Sequence, residues 1–154
     1  MSQIQPGQPA PDFELHDQHG QPVRLSQFRG QTAVVLFFYP KDDTTGCTIE
    51  ACSFRDETPR FDAMGARIMG ISSDSTDSHA RFAAKHGLPY TLLADPGGKV
   101  RAMYGAGGLL FGLIPGRVTF VIDRAGIVRH VFSSQTQFQG HVEEALRALT
   151  KSPA

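Results

Sequence analysis

The run Ala33-Val-Val-Leu-Phe-Phe-Tyr39, stopped by Pro40, constrains the fold more than any other stretch of the chain. Consecutive apolar residues rich in β-branched and aromatic side chains suit a strand buried on both faces. Such a strand needs a layer packed on each side, which an α/β architecture supplies. The segment after it reads as a helix. Cys47, Ala51, Phe54, Thr58 and Phe61 recur on one helical face, Thr44 and Thr45 are N-cap candidates, and Gly65 is the stop. Pro59 is expected to kink this helix, or to restart it with Thr58 as a new cap.

Alternating elements continue along the chain. Phe13–His16 and Val23–Leu25 predict a hairpin through Asp17-Gln18-His19-Gly20. Arg67–Ser72 and Tyr90–Leu93 predict strands, Thr76–His86 a helix ended by Gly87, and Lys99–Tyr104 one or two helical turns. Val118–Ile122 and Val128–Phe132 predict a second hairpin, and His141–Leu149 a terminal helix. The order β-β-β-α-β-α-β-β-β-α predicts an α/β fold: a mixed central sheet with helices on both faces and an N-terminal β-hairpin. With 154 residues and no interior linker, residues 1–154 are expected to form a single domain.

Charge and cysteine usage narrow the function. The 15 Lys+Arg balance the 15 Asp+Glu, which argues against a nucleic-acid binder. The longest apolar runs, Ala33–Tyr39 and Leu109–Ile114, fall far short of the roughly 18 residues of a membrane helix. Met1-Ser2-Gln3-Ile4-Gln5-Pro6 lacks the basic and apolar regions of a signal peptide, so a cytoplasmic location is expected. Two Cys exclude a disulfide-stapled scaffold and allow a redox or metal pair. His16, His19, His79, His86, His130 and His141 show no metal-ligand spacing, and most are expected to face solvent. Gly105-Ala106-Gly107-Gly108 follows a weak helix, the wrong context for a dinucleotide fingerprint. No metal or other cofactor is therefore expected.

The chemistry concentrates in the turn Pro40-Lys41-Asp42-Asp43-Thr44-Thr45-Gly46-Cys47, at the carboxyl end of the buried strand, where open α/β sheets bind ligands. Cys47 falls near the second or third helical position, where free N–H groups and the helix dipole favour a thiolate. A free thiol is about 3% ionised at pH 7, so complete ionisation gains at most about 30-fold, roughly 2 kcal/mol. A fast thiol enzyme therefore needs groups acting on the electrophile too. Thr44, one turn before Cys47, offers a hydroxyl, and Arg117 offers a cation for a thiolate or a developing oxyanion. The plainer alternative is a Cys that serves as a small buried hydrophobe. Cys52 lies five residues on. An intact helix sets the two Cα atoms about 8.5 Å apart, whereas a disulfide needs them within ~7 Å. Either these cysteines never pair, or the helix unwinds when they do.

This pattern, Pro40, three residues, Thr44, two residues, Cys47, resembles the active site of the peroxiredoxins, thiol peroxidases of thioredoxin-like fold. Phe38-Tyr39-Pro40-Lys41-Asp42, Gly46-Cys47-Thr48 and Glu50-Ala51-Cys52 are similar to the peroxiredoxin Q or bacterioferritin comigratory protein type. The similarity covers nearly the whole chain, starting at Gly7-Gln8-Pro9-Ala10-Pro11-Asp12-Phe13 and including Arg117-Val118-Thr119-Phe120-Val121-Ile122-Asp123. The resemblance implies that Cys47 is the peroxidatic cysteine and Cys52 the resolving one, closing an intramolecular disulfide. It implies that Thr44 and Arg117 orient the peroxide and that Pro40 shields the sulfur. Glu50 matches a common acidic position. A hydroperoxide substrate and thioredoxin or a similar dithiol reductant are the implied partners, with a monomer expected and a weak dimer the alternative. The apolar loop Gly107–Gly116 is more apolar than the pattern; it is a packed loop, a lip for alkyl peroxides or a dimer contact. The rival functions are a protein disulfide oxidoreductase, which would want Cys-x-x-Cys, and a non-enzymatic redox sensor or chaperone.

Overall fold

The apolar run becomes the strand β3 (Ala33–Phe38), and its alternation divides the interior in two. Ala33, Val35 and Phe37, with Tyr39 just beyond the strand, enter one core; Val34, Leu36 and Phe38 enter the other. The computed structural model describes residues 3–107 and 116–151. Its other strands are β1 (Glu14–Asp17), β2 (Pro22–Arg24), β4 (Ala66–Ser72), β5 (Thr91–Ala94), β6 (Val118–Ile122) and β7 (Val128–Ser133). Its α-helices are α1 (Thr45–Ala63), α2 (Thr76–His86), α3 (Lys99–Tyr104) and α4 (Phe138–Lys151).

The sheet order is β2-β1-β5-β4-β3-β6-β7. β3, β4 and β5 are parallel neighbours, as their crossover helices require, and both hairpins join antiparallel. The first core takes Phe54 and Phe61 of α1, Phe82 of α2 and Val142 and Leu146 of α4. The second takes Val100 and Tyr104 of α3, with Phe13 and Leu25 from the N-terminal segment. Helices thus cover both faces unequally: three on one side, the short α3 on the other. Among the described residues, no helix is long and apolar enough to cross a membrane.

Three expectations need correction. No restart occurs at Thr58: α1 runs through Pro59. Pro59 is exposed, so the carbonyl it leaves unbonded lies on the solvent side, while Phe54 and Phe61 hold the inner face. Thr58 is not a cap, and its hydroxyl donates back to the Phe54 carbonyl at 2.9 Å. The terminal helix starts at Phe138, before the apolar periodicity begins. A 3₁₀ turn at Leu25–Phe28 takes in Leu25, which the sequence assigned to a strand. Most of the apolar loop for which a packed loop, a peroxide lip or a dimer contact was expected, residues 108–115, lies outside the described residues.

Candidate active site

Thr44 is extended at φ −84° and ψ 155° and occupies the N-cap of α1, which places Cys47 at the third helical position. The expected capping bond is missing. The Thr44 hydroxyl donates instead to the Lys41 carbonyl at 3.0 Å. The Thr48 N–H already closes the helical ladder on the Thr44 carbonyl at 2.9 Å, so the amides of residues 45–47 have no helical acceptor. Those N–H groups gather around the start of the helix that carries the thiol. Pro40 is half-buried at the strand exit, and Thr44 is exposed.

Cys47 is 1% exposed and lies within the first core, yet a cation meets it. Arg117 Nη1 donates to Cys47 Sγ at 3.4 Å and to Glu50 Oε1 at 2.7 Å. Arg117 Nε donates to the Gln135 carbonyl at 3.2 Å, and the Phe138 ring lies 4.9 Å from the guanidinium carbon. Burial pulls the Arg117 pKa down, but Glu50 and Cys47 outweigh it and hold it above the usual value. Gly46 makes room for this packing: a Cβ there would stand 2.7 Å from Phe138 Cζ and 3.2 Å from Arg117 Nη2. Sequence spacing did not show this 70-residue juxtaposition of Arg117 and Cys47.

Behind the pair lies a polar cluster in which the sequence reading singles out only Glu50, and that by resemblance. Glu50 is fully buried; burial pushes its carboxyl up to about 7 against the pull of Arg117. Its second oxygen has no hydrogen-bond partner. His141 Nδ1 lies 3.7 Å from that oxygen. His141 Nε2 faces the Ser134 carbonyl at 2.8 Å and must donate, so Nδ1 accepts from the Thr119 hydroxyl at 2.8 Å. Burial holds His141 down to about 4, so the ring is neutral at pH 7.

A second network fixes the loop before the helix. Tyr39 donates to Asp42 Oδ1 at 2.6 Å; Ser78 donates to Asp42 Oδ2 at 2.8 Å, and His79 Nδ1 meets the same oxygen at 2.7 Å. The Asp42 N–H donates to Asp74 Oδ2 at 2.8 Å, and His79 Nε2 faces the Leu93 carbonyl at 3.0 Å. Burial would raise the Asp42 carboxyl, but the His79 and Tyr39 hydrogen bonds hold it below the usual range. Burial, then the Asp42 charge, hold the Tyr39 phenol protonated. Asp42, Asp74 and His79 bring ligand-type atoms within 4.8 Å of one another, a juxtaposition the sequence spacing did not reveal. Their close contacts are met by hydrogen bonds within the network. Contrary to expectation, only His16 and His19 are exposed; His86 and His130 are half-buried, and His79 and His141 fully buried.

Cys47 and Cys52 are both free thiols, Cys52 half-buried, on one continuous helix. The structure therefore brings Cys47 and Arg117 together, with the guanidinium shared between Cys47 and Glu50. It leaves Cys52 further round the helix and the Thr44 hydroxyl turned to a backbone carbonyl.

A lone sulfur at an amide-lined helix start, at the carboxyl edge of a mixed sheet and under a buried guanidinium, defines a thiol-chemistry site on a thioredoxin-like fold. Residues 6–131 match the AhpC/TSA family. The chain belongs to that family and, within it, to the peroxiredoxins of the Q or bacterioferritin comigratory protein type, which makes it a thiol-dependent peroxidase. It is 47% identical to chloroplastic peroxiredoxin Q of Sedum lineare over 97% of this chain and 80% of that protein. The Arabidopsis thaliana counterpart is 49% identical over 97% of this chain and 68% of its own length. The crystal structure of peroxidoxin BcpB from Mycobacterium tuberculosis superposes with a TM-score of 0.90 at 42% identity, covering 98% of this chain and 99% of that one. The Xanthomonas campestris bacterioferritin comigratory protein, solved as trapped intermediate and ligand complexes in a study of alkyl peroxide reduction, gives a TM-score of 0.82 at 30% identity over 90% of each chain.

Proposed function

We propose that Cys47 is the nucleophile. Its thiolate attacks the terminal oxygen of hydrogen peroxide or an organic hydroperoxide; the O–O bond breaks, and water or alcohol leaves after taking up a proton. The sulfur becomes a sulfenic acid. Cys52 then attacks that sulfur, forming the Cys47–Cys52 disulfide and releasing water. Because the two Cα atoms on a wound helix stand about 8.5 Å apart, the first turns of α1 must open for this step. Thioredoxin or a similar dithiol restores both thiols by exchange. Thr44 and Arg117 orient the peroxide, and Pro40 shields the sulfur.

The observation carrying this reading is the 3.4 Å contact from Arg117 Nη1 to Cys47 Sγ at the amide-rich start of α1. One fixed cation there faces both the thiolate and the departing oxygen. A cytoplasmic monomer is the setting proposed, and two unpaired cysteines suit a reducing compartment. The test is peroxide consumption coupled to thioredoxin, thioredoxin reductase and NADPH. Many turnovers per chain support an enzyme recycled by a dithiol, and their loss in Cys47→Ser supports the nucleophile. A single stoichiometric oxidation with no recycling would favour a redox sensor.

A further inference from the structure

Arg101, on α3, is 7% exposed, and its guanidinium is spent on backbone. Nη1 donates to the Ala106 carbonyl at 3.0 Å and the Gly116 carbonyl at 2.6 Å. Nη2 donates to the Tyr39 carbonyl at 2.7 Å, and the group lies 5.6 Å from the Phe38 ring centre. The buried Asp95 carboxylate beneath it is engaged by the backbone N–H groups of Val100 and Arg101, both at 3.0 Å. A buried guanidinium is a costly way to hold carbonyls. If its purpose were to finish α3, Ala106 would suffice.

The other two partners explain the cost. Tyr39 is the last residue before Pro40, where β3 hands the chain to the loop that carries Thr44 and Cys47. Gly116 immediately precedes Arg117. Arg101 therefore joins the backbone delivering the sulfur to the backbone delivering its cation; its hydrogen bonds go to carbonyls, and only its charge reaches Cys47. A separate observation shows how close this joint is. A Cβ on Gly116 would stand 2.7 Å from the Ala106 carbonyl oxygen and 2.8 Å from that of Gly107. Only a glycine at 116 lets the backbone there lie this close to the end of α3.

We propose that Arg101 is a positioning residue for the peroxidase reaction: by bridging the carbonyls of Tyr39, Ala106 and Gly116, it sets the separation of Cys47 and Arg117. This rests on Cys47 being the nucleophile. Lysine keeps the charge but, as a point donor on a flexible stem, does not reproduce a planar fork spanning three carbonyls. Misplacement of reacting groups by about 1 Å costs up to about a hundredfold in rate.

The experiment compares wild type, Arg101→Lys, Gly116→Ala and Cys47→Ser as reduced full chains. It measures the second-order rate of Cys47 oxidation by hydrogen peroxide, the rate of Cys47 alkylation by iodoacetamide, and Tm. Alkylation reads the thiolate without requiring peroxide to be gripped between sulfur and guanidinium. Arg101→Lys is expected to slow oxidation about ten- to a hundredfold while alkylation stays within about threefold of wild type. Gly116→Ala, which strains the same joint and keeps Arg101, is expected to show the same split. It carries the test if Arg101→Lys does not fold. Wild-type oxidation in a folded Arg101→Lys overturns the proposal, as does a parallel fall in both rates, which would make Arg101 a support of the thiolate itself or a folding element. With Arg101→Lys unfolded, wild-type oxidation in Gly116→Ala overturns it too. Oxidation at the wild-type rate in Cys47→Ser would instead sink the underlying assignment of the nucleophile.

Discussion

Replacing Glu50 by Gln tests whether the buried carboxyl beside Arg117 shares its proton with neutral water. In the fold, burial pushes Glu50 up from 4.5 to about 7 against the pull of Arg117. A carboxyl that keeps its proton longer when folded stabilises the fold fully below pH 4.5, and that contribution is lost as pH rises to about 7. At 1.36 kcal/mol per pH unit the loss is about 3 kcal/mol. His141 has the opposite sign. Burial holds it down from 6.5 to about 4, so its contribution is complete above pH 6.5 and disappears as pH falls towards 4. That too is worth about 3 kcal/mol. The two slopes offset each other in the wild type between pH 4.5 and 6.5. Gln keeps the size of Glu50 and removes its titration, so the variant should gain stability with rising pH through that window. Urea unfolding of the reduced protein, followed by circular dichroism from pH 4.5 to 7.5, measures the difference between the two proteins. That difference should grow by about 3 kcal/mol in favour of Glu50→Gln between pH 4.5 and 7. A pH-independent difference would refute the reasoning, because Glu50 would then titrate in the fold as it does in the unfolded chain.

Arg117→Ala should slow peroxide attack on Cys47 by about a hundred- to a thousandfold, the cost of losing one preorganised donor at a developing anion. Stopped-flow oxidation kinetics check this, and an unchanged rate would remove Arg117 from the site. Phe54→Ala empties a fully buried position whose ring stacks on Phe37 at 4.5 Å, and should cost about 3–5 kcal/mol in urea unfolding. Gly46→Ala must displace the Phe138 ring, which a Cβ would meet at 2.7 Å. Peroxide oxidation should fall about tenfold in kinetics on a variant whose circular dichroism matches wild type.

The sheet and its helices were legible because their signals are local. Val34 and Val35 face opposite cores, so the whole run had to be apolar, and Gly87 marks the end of α2 by its left-handed conformation. Cys47 was legible from its place after a buried strand. Glu50 was harder. It sits one residue before Ala51, inside the buried stripe of α1, where a charged side chain normally signals solvent; its partner Arg117 is 67 residues away. His79 and Asp42 are likewise 37 residues apart. Such pairs are invisible to periodicity, which reports one element at a time. Pro59 misled for a related reason: its effect depends on which side of α1 it faces, and that side is fixed by the packing of Phe54 and Phe61.

Intact mass spectrometry after one equivalent of hydrogen peroxide tests the nucleophile and its partner together, in the wild type, Cys47→Ser and Cys52→Ser. Wild type should lose about 2 Da as the disulfide forms, Cys52→Ser should gain about 16 Da as sulfenic acid, and Cys47→Ser should stay unchanged. A Cys47→Ser chain oxidised as fast as wild type, or a Cys52→Ser chain that takes up no oxygen, would contradict the account.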